Sequence, residues 1–224
     1  MSVEDHRPRV AAERRERMRM RLLSTAVRMG AEKGPAALTI DDIVVGAEVA
    51  RGSFYKYFAS IDALLIEVAT QIANDIIRLA EPVVQELEDP AERVSGGIRL
   101  VTRAAVERPV LAAFLVRLGW PDVRGPDMLL DFVRRDLATG IRQRRFMRMP
   151  IELALNITAG AVLGASRSML RDDCEKDFAE QTAAAALRAL GVPPDEAKSI
   201  ATRRLSSIEW PEAGLFSEPS LGAV

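Results

Sequence analysis

Arg51, Ser53, Tyr55, Lys56 and Tyr57 place two cations, a hydroxyl and two phenols within seven residues. None of these groups is a nucleophile or a general base at its ordinary pKa, but together they are donors for phosphate oxygens and base edges. The chemistry that suits them is the grip on a nucleic acid. Catalysis has little material elsewhere: the single histidine is His6, which leaves no histidine triad or histidine metal cluster for the body of the chain. There is no phosphate loop of the G-x-x-x-x-G-K-[ST] type and no G-x-G-x-x-G after a strand. Asp41-Asp42 and Asp172-Asp173 are adjacent in sequence, and neighbours on a helix point about 100° apart, so neither pair makes a shared carboxylate site. No cofactor and no metal site is expected, and the chain is not expected to be an enzyme.

The donors need a rigid element that presents them. Thr39 with Asp42 forms a T-x-x-D capping box that starts a helix at Ile40. Ile40, Ile43, Val44 and Ala47 follow at helical spacing and give it one apolar stripe. Gly46, Ala47 and Ala50 are small enough for two helices to approach through a tight turn, with Val49 plugging the space between them. In the second helix Phe54 and Phe58 lie four residues apart on the inward face, leaving the donors outward. A helix-turn-helix has this layout, the first helix bracing and the second entering the major groove.

Leu38-Thr39-Ile40-Asp41-Asp42-Ile43, the run Ala47 to Phe58 (AEVARGSFYKYF), and Ser60 with Leu64 and Leu65 resemble the DNA-binding domain of the tetracycline-repressor (TetR) family of bacterial transcription regulators. The resemblance covers about residues 12 to 68. It implies that Thr39 and Tyr55 hydrogen-bond phosphates, that Arg51, Gly52, Ser53 and Lys56 lie at the groove floor or its edge, and that Tyr57 touches the backbone. Arg51 is the residue for a bidentate contact to guanine, worth about 1–3 kcal/mol of discrimination. Three positions depart from the family pattern. Glu48 stands where a glycine is usual, and a left-handed conformation there costs roughly 1 kcal/mol. Ala50 replaces a serine cap worth about 1 kcal/mol. Ile61 replaces a lysine suited to phosphate.

The charge of the chain is polarised. Residues 1–60 hold 11 Lys or Arg against 8 Asp or Glu, whereas the remainder holds 20 against 24, so the net charge of −1 conceals a basic N-terminal end. Arg7, Arg9, Arg14, Arg15, Arg17, Arg19 and Arg21 form a basic arm able to neutralise phosphates or to reach a minor groove. From Ala12 the pattern Met18, Leu22, Leu23, Ala26, Val27, Met29 is an amphipathic helix ending near Gly30 to Gly34; residues 1–10 read equally well as a solubilising tail.

The fold class expected is all-α: a basic arm and three-helix helix-turn-helix domain over residues 1–59, a larger helical effector-binding and dimerisation domain over 60–210, and a disordered tail over 211–224. At 224 residues the chain suits two domains. Helices are expected from Ile61 to about Gln85, ended or kinked by Pro82; from Pro90 to Glu107 behind an Asp89 cap; over 109–119, 127–144, 151–171 and 176–190; and from Pro193 to about Ser207. Residues 120–126 read as a loop. No run of 18 apolar residues and no signal-peptide pattern is found, so a soluble, cytoplasmic protein with no membrane partner is expected. Cys174 is the only cysteine, which excludes an intrachain disulfide, and a redox role for it has no visible basic partner beyond Arg171 and Lys176.

Small residues crowd the helices at 151–171 and 176–190. Ala161, Gly164 and Ala165 in the first, with Ala183 and Ala186 in the second, suit a four-helix interface between two copies; a tightly packed internal core is the alternative. TetR-like proteins dimerise through their last two long helices, so the resemblance implies a homodimer on a palindromic double-stranded DNA operator. Physics agrees, because one short reading helix touches few bases and two half-sites about 34 Å apart supply the rest. An unidentified small-molecule effector, mostly apolar, is expected against Phe114, Leu118, Trp120, Met128, Phe132, Met147 and Asn156. The function expected is a repressor released from DNA by that ligand, with a DNA-binding protein whose C-terminal bundle is only a scaffold as the alternative.

Overall fold

The structure, a computed structural model, describes residues 6–118, 128–171 and 174–210. Among these residues there are ten α-helices, one 3-10 turn and no strand. The first unit extends to Ala69 and the second runs from Thr70 to Trp210, so the division falls inside one long helix.

In the first unit, α1 (His6–Lys33) leads through a 3-10 turn at Pro35–Ala37 into α2 (Ile40–Gly46) and α3 (Arg51–Phe54). α1 begins six residues ahead of the amphipathic pattern, and the Arg9–Glu13 pair, four residues apart at 3.5 Å, supports its added turns. Leu22, Leu23, Ala26 and Val27 from α1 are buried with Ile43, Phe54, Leu64, Leu65 and Val68. Gly46 makes the close approach of α2 to α1 possible: a Cβ there would stand 2.9 Å from Thr25 Cγ2. Arg28 Nη2 donates to the Gly46 carbonyl at 3.0 Å and so covers the C-terminal end of α2.

The long helix α4 (Ile61–Gln85) passes from the first unit into the second. The Ser60 hydroxyl accepts from Ala63 N at 3.1 Å and caps its start. Pro82 does not end it, and the helix runs three residues further to Gln85.

The second unit continues with α5 (Pro90–Glu107), α6 (Pro109–Leu118), α7 (Met128–Arg142), α8 (Ile151–Met169), α9 (Phe178–Ala189) and α10 (Pro194–Ala201). α5 is its centre and packs against α6, α7, α8, α9 and α10. Asp89 caps α5 by accepting from Ala91 N at 2.9 Å. Its other function is to hold Arg145, whose Nε and Nη2 lie 2.9 and 2.8 Å from it and which also reaches Glu196 in α10 at 2.8 Å. Ala91, Ile98, Leu137, Leu155, Ala183, Leu187 and Ile200 build the core. α10 stops at Ala201, six residues short of the expected Ser207, with Thr202 as its C-cap, where the backbone N–H reaches back to the Lys198 carbonyl at 3.1 Å. The expected loop at 120–126 and the expected tail lie outside the described residues. No described helix is long and apolar enough to cross a membrane, and no group of three acidic, His or Cys side chains able to hold a metal occurs among the described residues.

Candidate nucleic-acid interface

The donor-bearing segment stands on a capped base. Thr39 Oγ1 accepts from Asp42 N at 3.2 Å while Thr39 N donates to Asp42 Oδ2 at 3.0 Å, a complete capping box. Lys33 and then Thr39 hold the Asp42 carboxyl down at about 2. A lowered carboxylate contributes stability above its unfolded pKa near 4, and that contribution is lost as pH falls toward 2.

The turn is strained where the sequence departs from its relatives. Glu48 has φ +53°, the left-handed region, and Ala50 occupies the N-cap of α3 with no side chain able to cap it. Arg21 reaches Glu48 at 3.2 Å, but both side chains are largely in solvent and the pair adds little. Glu48→Gly is therefore expected to raise the stability of this unit by about 1 kcal/mol, read as a higher denaturant midpoint with unchanged slope. A lower midpoint would show that the turn carries no strain.

α3 is only one turn long. Beyond Phe54 the chain continues in single turns, Lys56 N bonding to the Ser53 carbonyl at 3.3 Å and Tyr57 N to Phe54 at 2.9 Å. The structure thus shortens the regular reading helix expected through Tyr57. Phe54 is fully buried and Phe58 nearly so, with ring centroids 5.9 Å apart, and the Tyr55 ring stands edge-on to Phe54 at 5.6 Å. On the opposite side Arg51, Gly52, Tyr55 and Lys56 are exposed, Ser53 and Tyr57 half-buried, and nothing lies within 4 Å of a Cβ at Gly52. Thr39 is at the N-terminus of α2, with its hydroxyl engaged by the cap. All seven expected DNA-contacting residues therefore lie in the one unit, six of them on one short segment.

Arg51 is not free in this state: its Nη1 donates to Asp41 Oδ1 at 2.6 Å. Both side chains are more than half exposed, so the pair contributes little. Asp41→Asn releases Arg51 and removes a negative charge beside it, and is expected to raise DNA affinity about two- to fivefold at low salt, measured by fluorescence anisotropy. Unchanged or weaker binding would show that Arg51 makes no DNA contact that Asp41 opposes.

The residues expected to hold an effector do not converge. Phe114 is fully buried in α6 and Phe132 half-buried in α7. Met147 and Asn156 are on the surface. Met147 belongs to the turn after α7, where its backbone N donates to the Leu190 carbonyl at 2.8 Å and its side chain lies against Gly191. Asn156 falls on the outer face of α8. Trp120 and the side chains of Leu118 and Met128 lie outside what is described.

Beside Phe132 sits a charged cluster that the sequence reading missed. Asp136 is 5% exposed inside an apolar bundle, 3.1 Å from Arg135 and 3.5 Å from Arg93, and Arg135 also reaches Glu81 at 3.0 Å. The Arg135 guanidinium lies 5.4 Å from the Phe132 ring centre. Burial pushes the Asp136 carboxyl above its ordinary value, against the pull of Arg135 and Arg93. The signal was present: Asp136 falls on the same helical stripe as Val133, Leu137 and Gly140.

The small-residue stripe divides in two. Ala183 and Ala186 of α9 and Ala165 of α8 are buried in the chain's own interior, and Ala161 packs half-buried against it. α9 lies against α5, α8 and α10 with Ala183 and Ala186 facing inward, which is the internal packing that stood as the alternative to an interface. Gly164 is different. It and Gly160 are exposed, a Cβ on either would meet nothing within 4 Å, and they share the outer face of α8 with Asn156 and Leu153.

A capped helix-turn-helix unit ahead of a purely helical bundle defines a two-domain DNA-binding transcription regulator. Residues 22–68 match the model of the bacterial regulatory proteins of the tetR family, and residues 89–203 match that of the tetracyclin repressor-like C-terminal domain. The chain belongs to the TetR family. Among solved structures it is similar to RolR in complex with the ligand resorcinol, at 30% identity and a TM-score of 0.69, over 88% of this chain and 100% of that one. A TetR family transcription regulator from Marinobacter aquaeolei VT8 shares the fold at 16% identity and a TM-score of 0.62, over 80% and 98% of the two chains. The chain is also 34% identical over 75 residues to the transcriptional repressor KstR2 of Mycobacterium tuberculosis, covering 34% of this chain and 38% of that protein. An uncharacterised HTH-type regulator of the same organism is 28% identical over 105 residues, 47% and 52% of the two chains. The chain thus spans about half, or less, of the length of the curated relatives it matches.

Proposed function

We propose that the protein is a cytoplasmic, homodimeric repressor that leaves a palindromic operator when a small hydroxylated aromatic ligand binds its C-terminal bundle. Thr39, Arg51, Gly52, Ser53, Tyr55, Lys56 and Tyr57 make the DNA contacts in this reading, and the outer α8 face through Leu153, Asn156, Gly160 and Gly164 meets the second copy. The ligand half is carried by one observation, the buried Asp136 carboxylate beside Phe132, paired with the exposed Arg135 and the half-buried Arg93. An aromatic ring on Phe132 with hydroxyls on a buried carboxylate and the guanidinium paired with it is a chemically matched pair. The likeness to RolR holding resorcinol supports the same ligand class.

Ligand response requires unequal affinity for the DNA-bound and free states. The test titrates resorcinol into the protein–operator complex. Release of the DNA, lost in Asp136→Asn, supports the reading. The closed pairing of Arg135 with both Glu81 and Asp136 favours the scaffold alternative instead. That alternative gains if neither resorcinol nor other simple phenols displaces the operator at millimolar concentration.

A further inference from the structure

The family's N-terminal model begins at residue 22, yet α1 begins at His6, so about four turns of helix precede the matched domain. Most arginines there are tied within the chain. Arg9 pairs with Glu13, Arg17 Nε donates to the Glu13 carbonyl, Arg19 pairs with Glu16 and Glu67, and Arg21 pairs with Glu48. Arg14 and Arg15 are exposed and have no acidic partner among the described residues. Both line an open groove of about 840 Å³ together with Lys56 and Tyr57 and the apolar Val10, Ala11 and Met18. Among the described residues Lys56 also has no acid beside it, and no carboxylate lines the groove. Three unneutralised cations around one groove repel one another unless an anion is present, and the Tyr57 phenol beside them can donate to the same anion. The occupant that can answer all of them at once is a run of phosphates.

We infer that this groove holds the sugar–phosphate backbone of the DNA strand flanking the bases read by α3, with Arg14 and Arg15 as added phosphate contacts. The inference rests on the DNA-binding reading above and extends its footprint to the N-terminal half of α1. Lys56 and Tyr57 belong to both the reading segment and the groove wall, so a strand gripped there continues from the major-groove contact without a gap.

The experiment measures affinity for the selected operator against salt, using the full chain, Arg14→Ala/Arg15→Ala and Arg9→Ala/Arg17→Ala. Circular dichroism checks that the helices persist in both variants. Removing Arg14 and Arg15 should lower the slope of log K against log salt by about two and weaken binding at least tenfold at physiological salt. Removing Arg9, which is paired with Glu13, and Arg17, which does not line the groove, should change the slope by less than half as much. If the wild type prefers the operator to a scrambled duplex but Arg14→Ala/Arg15→Ala keeps its slope, the inference is overturned and the DNA-binding reading stands. If the wild type shows no preference, that reading itself fails. Competition by inorganic phosphate at constant ionic strength, lost in the variant while the slope is kept, would assign the groove to a small anion and also overturn the inference.

Discussion

Arg51→Ala is expected to lose about 1–3 kcal/mol of operator affinity, or roughly 5- to 150-fold, while binding to a scrambled duplex weakens far less. The asymmetry follows from geometry. Arg51 opens the exposed side of α3, next to a glycine whose absent side chain leaves room for a base edge. Its ion pair with Asp41 in the free protein is exposed and too weak to support the fold. Thermal stability should therefore barely move. Paired titrations of the two duplexes decide the matter: equal losses on both would make Arg51 a phosphate contact with no part in reading sequence.

Phe54→Ala is the other large effect. Phe54 is fully buried beneath the donors, against Phe58 and the Tyr55 ring, and with Phe58 it supplies the aromatic part of the core of a small unit. Its truncation costs about 3–5 kcal/mol, comparable with the whole stability of a domain this size. DNA binding should vanish even though no donor is altered. Hydrogen exchange should show lost protection in α1 and α2 while α5 and α9 keep theirs. Retained protection throughout would mean that the reading segment is held by something other than its two phenylalanines.

Where local rules decide the structure, the residues could be read directly. Thr39 and Asp42 are three apart and made their capping box, Asp89-Pro90 started α5, and Glu48 took the left-handed conformation that a glycine usually supplies. The ends of α4 fell at Ile61 and Gln85 as its apolar spacing required. Pro82 lies inside α4 and did not stop it, since the bonds of the neighbouring residues carry the helix three residues further. Non-local packing was the harder part. Ala183 and Gly164 look alike as small residues, and only the placement of α9 against α5 and α8 separates an interior alanine from an exposed glycine. Met147 and Asn156 suit a pocket by type, yet a turn and a helix face carry them outward. Asp136 was overlooked because a carboxylate in an amphipathic helix is usually on the wet side, and its burial depends on Arg93 arriving from another helix.

Whether the protein reads DNA as a dimer is tested most directly by selecting bound fragments from random duplex DNA, sequencing them and footprinting the winner. A dimeric reader yields one inverted repeat, with two protected half-sites centred about one helical turn, or about 34 Å, apart and two chains per duplex. Recovery of no shared sequence, or of a single half-site bound by one chain, would contradict it.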